Sequence, residues 1–189
     1  MKILFNTLLS TTLLFIHLTV FAQNAEAFSL NPNAVMDTAK RSIKSRVIGV
    51  IQGENVTINY YSPGVRQRVI WGGLVPYQKV WVTGAHDATN IEVGKPFIIG
   101  KVEIPAGKYA IFTIPDKKEW ILIINKNWQQ HLSSKYDEKD DVVRLKVKPR
   151  KNDHTERLQY FIERIKKNKA RIAMEWEKLR IDFPITVKN

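Results

Sequence analysis

His86 and Asp87 stand side by side in the stretch Trp81-Val82-Thr83-Gly84-Ala85-His86-Asp87-Ala88-Thr89. An imidazole next to a carboxylate can act as a general base or supply half of a metal site. Neighbours in an extended strand point to opposite faces, so the pair can cooperate only where the chain turns, and Gly84-Ala85 offers that turn. Thr83 and Thr89 add hydroxyls, and Arg68 upstream is a candidate anion clamp. The competing reading is architectural: a hydrogen-bonded loop that ties strands together, the commoner fate of buried polar groups.

Other chemistries find little support. Outside the N-terminal stretch the histidines are His86, His131 and His154, and none has the spacing of a zinc motif. Asp137, Glu138, Asp140 and Asp141 lack the glycine and terminal glutamate of an EF-hand loop and read as a hydrated hairpin turn. There is no Gly-x-Ser-x-Gly elbow, no Ser-x-x-Lys, no phosphate loop and no dinucleotide fingerprint. No metal and no cofactor is therefore expected. Aromatic residues remain: Trp71, Tyr77, Trp81, Tyr109, Trp120 and Trp128. Most read as core, with Tyr77 and Trp81 held out as surface contacts, since an aromatic face on a β-sandwich suits a sugar or an apolar ligand. The candidate ligand-binding set is Arg68, Tyr77, Trp81, Thr83, His86, Asp87, Thr89, Tyr109 and Asn125.

The elements that would position these residues are mostly strands. Val56–Tyr60 alternates apolar and polar residues, and Ser62-Pro63-Gly64 reads as a turn. Arg68–Trp71 reads as a further strand, stopped by Gly72-Gly73. Lys108–Ile114 and Glu119–Asn125, joined by Pro115–Lys118, read as a hairpin, and Val142–Val147 as another strand. Thr155–Arg180 is ambiguous. Leu158, Phe161, Ile162, Ile165, Ile172, Trp176 and Leu179 suit a helix face, while Leu158/Tyr160/Ile162 and Ile172/Met174/Trp176 alternate as two strands around Lys166–Lys169. Many short strands with frequent turns point to an all-β, antiparallel sandwich or barrel-like domain, with at most a short N-terminal helix from Asn33 to Ile43.

Several blocks resemble one bacterial family. They are Ile70–Tyr77, Val80–Thr89, Pro105–Tyr109 with Phe112–Pro115, Trp120, Asn125-Lys126, and Tyr136–Arg144. Together they are similar to the secreted family called domain of unknown function 2911, from about Val47 to Val187. The resemblance implies a mainly β fold with strands around Leu158–Ile162 and Arg171–Trp176, and it implies export in a Gram-negative bacterium. It carries no activity. Two departures stand out: Val82 where members commonly have Arg, and His86-Asp87 where they commonly have Asn-Glu.

The N-terminus points the same way. Lys2 precedes an uncharged stretch from Ile3 to Ala22 that ends in small residues, the order of a cleavable export signal. Cleavage is expected after Ala22, giving a signal at 1–22, a linker at 23–45 and one β-rich domain at 46–189. The alternative, an uncleaved anchor, is interrupted by Asn6, Ser10 and His17 among others. No later stretch is apolar enough to span a bilayer. The chain has no cysteine and a net charge of +12, with most of the excess from Val142 onward. A solvated surface kept soluble by its charge accounts for this; where a partner is involved, an exported basic protein is expected to meet anionic glycans or lipid headgroups rather than nucleic acid. The expected address is periplasmic or secreted. The expected function is a non-catalytic ligand- or partner-binding module. The alternative is an envelope hydrolase acting on a glycan or lipid with His86 and Asp87 as acid–base residues.

Overall fold

The structure is a computed structural model, and it describes Phe28–Leu30 and residues 42–189. The signal at 1–22, most of the linker and residues 33–41 of the expected helix lie outside the described residues. Eleven strands and one 3₁₀ turn are described. Seven strands form one antiparallel sheet: β1 (Phe28–Leu30), β2 (Ser42–Ile51), β3 (Glu54–Pro63), β4 (Asn90–Val93), β7 (Gly107–Ile114), β8 (Trp120–Asn125) and β9 (Asp141–Val147), in that spatial order. The second sheet has the order β10 (Arg150–Lys166), β11 (Lys169–Val187), β5 (Phe97–Ile99) and β6 (Val102–Ile104). The two pack as an all-β sandwich.

Alternation explains how the sheets face each other. On β2, Ile43, Val47 and Ile51 are buried while Lys44, Arg46 and Val50 point away; on β3, Val56, Ile58 and Tyr60 are buried while Thr57, Asn59 and Tyr61 lie on the outer face. The inner residues meet Leu158, Tyr160, Ile162, Ile172, Met174 and Trp176 of the second sheet in one core. The two sheets approach closely at Gly49, where a Cβ would lie 2.5 Å from Cγ2 of Ile162. Ser62 Oγ also crosses the sandwich, donating to the Leu158 carbonyl at 2.7 Å.

Four tryptophans close one part of the core. Trp81 stacks on Trp176 at 5.8 Å, and Trp71 meets Trp120 edge-on at 4.9 Å. Trp71 comes from an irregular segment and not from the strand expected at Arg68–Trp71. Its backbone is spent on turns: Gly73 N donates to Ile70 O, and Leu74 N to Val69 O. The apolar alternation there reflects Val65, Ile70 and Val75 plugging the core from a loop. Gly72 has a φ of +82°, and a Cβ there would touch the Tyr77 ring at 2.9 Å. Ser62 and Pro63, expected in a turn, are the last residues of β3.

Residues 155–180 are strands, not helix. β10 and β11 form a long hairpin whose tip is Lys167-Asn168. Leu158/Tyr160/Ile162 and Ile172/Met174/Trp176 keep the two-residue period, and the spacing also fits a helix because apolar residues stand outside that phase as well, Phe161 and Leu179 half-buried and Ile165 exposed. β11 then doubles back, since the Val187 amide donates to the Asn168 carbonyl at 2.9 Å. A φ of +55° at Glu177 marks the bend. β2 begins at Ser42, so Ser42 and Ile43 of the expected helix and linker are strand residues.

Candidate functional site

The outer face of the seven-stranded sheet has two halves. Over β7 and β8 it is apolar: Ala110, Phe112 and Ile123 are buried beneath Val82, Ala88, Trp128 and Tyr136 of the covering loops. Over β2, β3 and β4 it is polar and bare. A groove of about 610 Å³ runs along the boundary. That volume falls in the range of small-molecule sites, about 300–1,000 Å³. A shallower trough of about 460 Å³ shares Thr57, Glu92 and Lys108 with it and continues toward Gly107.

The groove floor is a ladder of outward-facing side chains on paired strands. Arg46 stands opposite Asn59, and Asn59 opposite Asn90. The register sets a hydrogen-bonded chain: Arg46 Nε donates to Asn59 Oδ1 at 2.8 Å, and Asn59 Nδ2 to Asn90 Oδ1 at 3.1 Å. Asn90 then donates to the Ala88 carbonyl at 3.3 Å. Arg46 uses only Nε in this chain, and neither Arg46 nor Lys44 forms an ion pair among the described residues. Lys108 has Glu92 at 3.8 Å and sits 4.1 Å above the Trp128 ring.

The rim carries the histidines. His86 has a φ of +56°, so the chain does turn there. Its ring meets Tyr61 edge-on at 5.0 Å. The imidazole paired with Asp87 is that of His131, at 3.3 Å, not its neighbour His86. Leu132 N also donates to the His86 carbonyl at 2.7 Å, joining the two rim loops. Both members of the Asp87–His131 pair are 63% exposed at the side chain. Water therefore screens the pair and nothing shields it for proton transfer. Tyr60, beneath the floor, is held above the usual phenol range by burial.

Of the nine candidate residues, Asp87 lines the groove and His86 stands at its rim. Thr83 and Thr89 are buried beneath them. Thr83 Oγ1 lies 3.1 Å from Thr113 Oγ1, and Thr89 Oγ1 donates to the Thr83 carbonyl at 3.0 Å. The Tyr160 hydroxyl reaches the same carbonyl from the opposite sheet, also at 3.0 Å. Asn125 is buried as well; it donates to Asp137 O and Asp141 Oδ1 and accepts from Asn127 N. Trp81 lies in the tryptophan cluster, its indole donating to Gly84 O at 3.1 Å. Tyr109 faces the core and donates to Pro105 O at 3.1 Å. Arg68 folds onto its own turn, donating to Val65 O and Gly64 O, and Tyr77 packs against Gly72. Lys44, Arg46, Asn59, Tyr61, Lys108 and His131 were not singled out from sequence. Five of them lie in the polar phase of alternating strands, their one sequence signal, and His131 lies in the connection between β8 and β9.

The acidic turn at Asp137–Asp141 forms a 3₁₀ turn in which Asp137 caps Lys139 N at 2.9 Å. Asp141 binds the Tyr136 hydroxyl at 2.7 Å and Arg144 at 2.8 Å. No cluster of three metal-ligating side chains occurs among the described residues.

Fold and groove together define an antiparallel β-sandwich with an open polar groove on the outer face of its larger sheet. The chain belongs to the family described as Protein of unknown function (DUF2911), whose model matches residues 42–185. No curated protein and no solved structure matches it.

Proposed function

We propose that this is an exported protein of the bacterial envelope that binds an anionic glycan in the groove without turning it over. The supporting observation is the groove's composition. Two cations without carboxylate partners, Lys44 and Arg46, lie beside the Asn59–Asn90 amide ladder and the Tyr61 ring. Cations recognise a carboxylate or sulfate, amides recognise hydroxyls, and an aromatic ring takes an apolar sugar face. The open rim and the solvated Asp87–His131 pair suit binding better than acid–base chemistry.

Isothermal titration with uronate-bearing and neutral oligosaccharides tests the reading. Acidic oligosaccharides are expected to bind, and Lys44→Ala or Arg46→Ala to weaken binding about tenfold or more, since hydrogen bonds to charged groups contribute about 1.5–3 kcal/mol. Equal binding of neutral sugars, or unchanged affinity in both variants, would overturn it.

The pairing of His131 with Asp87 supports one second reading, a hydrolase using that pair on the same ligand. It requires turnover of the bound oligosaccharide that His131→Ala abolishes.

A further inference from the structure

One end of the sandwich concentrates unpaired cations and exposed aliphatic side chains. The β10–β11 tip carries Arg164, Lys166, Lys167 and Lys169, and none has a carboxylate within ion-pair distance among the described residues. Ile165 lies among them, 44% exposed. The β2–β3 turn sits against this tip, with Gln52 N donating to the Lys167 carbonyl at 2.7 Å. Val50, two residues before Gln52, is 53% exposed.

A solvated basic face alone needs no aliphatic residues at its crest. A polyanion such as a sulfated glycan would pair with the lysines and leave Ile165 and Val50 in water. A lipid surface satisfies both: headgroup phosphates take the ammonium groups, and the aliphatic side chains enter the boundary of the acyl layer.

We propose that the β10–β11 tip, with Val50 beside it, docks the protein on an anionic lipid surface. The docking does not depend on what the groove binds.

Vesicle co-sedimentation of the full chain tests this. The quantity read is the preference for phosphatidylglycerol-containing vesicles over pure phosphatidylcholine, to which the Ile3–Ala22 stretch contributes equally in every variant. A cation near a charged bilayer contributes about fivefold in affinity. The triple variant Lys166→Gln/Lys167→Gln/Lys169→Gln is therefore expected to lose about a hundredfold of the preference. Added salt should reduce it too. Ile165→Ser, which keeps every charge, is expected to weaken vesicle binding severalfold while leaving binding to soluble dextran sulfate unchanged. Absence of an anionic preference in the parent overturns the proposal, as does a preference retained by the triple variant. Unchanged vesicle binding by Ile165→Ser also overturns it and marks the tip as a polyanion site. Ile165, Lys166 and Lys167 are exposed and Lys169 is half-buried, and an unchanged far-ultraviolet spectrum verifies the fold.

Discussion

Gly49→Ala should destabilise the protein, against the usual sign for such a change. A glycine inside a strand ordinarily costs about 0.5–1 kcal/mol relative to alanine. Gly49 does not adopt a positive φ that would require glycine. Yet the added methyl would fall 2.5 Å from Cγ2 and 2.9 Å from Cβ of Ile162. Ile162 is 4% exposed and β-branched, so it has little room and few rotamers with which to yield. Overpacking of this kind costs about 1–3 kcal/mol. Subtracting the gain in strand propensity leaves a net loss centred on about 1 kcal/mol. Equilibrium urea unfolding should show a lower midpoint at an unchanged m value. Ile162→Ala alone should cost about 2–5 kcal/mol through the cavity it opens. The double variant should fall short of the sum by about 0.5–3 kcal/mol, because the new methyl occupies vacated space. A Gly49→Ala protein as stable as its parent, or strictly additive single changes, would show that contact with Ile162 does not set the spacing of the two sheets.

Asn125→Ala should cost about 2–3 kcal/mol, because it strips buried or part-buried partners, Asp137 O, Asp141 Oδ1 and Asn127 N, of their bonds; urea unfolding measures it, and a loss below about 0.5 kcal/mol would contradict the assignment. Alkali should destabilise the fold with a definite sign. Burial raises Tyr60, Tyr109, Tyr136 and Tyr160 above 10.0, with the Asp141 hydrogen bond adding to the effect at Tyr136. A folded-state value above the unfolded one gives stability that is complete below pH 10.0 and declines as pH rises toward the folded-state values. Tyrosinate absorbance should therefore show these groups ionising together with unfolding, and their free titration in the folded protein near pH 10.0 would refute it.

How far the sequence could be read depended on whether a signal was local. β7, β8 and β9 follow directly from runs such as Lys108–Ile114, whose turns are marked by Pro105–Gly107 and Pro115–Lys118. β4, β5 and β6 are three or four residues long and carry too little pattern to be seen. β10 and β11 needed the family resemblance, because Phe161, Ile165 and Leu179 add apolar residues outside the alternating set and complete a helix-like spacing. The candidate site was less legible. Asp87 and His86 could be noticed because they adjoin each other. Arg46, Asn59 and Asn90 lie on three strands and converge only through cross-strand register. Conversely, Thr83, Thr89 and Asn125 looked functional because they are polar, while their partners are backbone groups and the side chains of Thr113 and Asp141.

The Thr83–Thr89 brace separates two jobs that one loop would otherwise share. Its hydrogen bonds hold the backbone from below and reach the far sheet through Tyr160. The side chains of His86 and Asp87 point outward and contribute no bond to the brace. The one demand on position 86 is its left-handed φ of +56°, a conformation in which both Asn and His are enriched among non-glycine residues. The exchange of Asn-Glu for His-Asp implied by the family resemblance respects that demand and keeps an acid at 87. The side chains at 86 and 87 can therefore be exchanged without touching the hydrogen bonds that hold the loop, so the chemistry of the rim and the stability of the fold vary independently here.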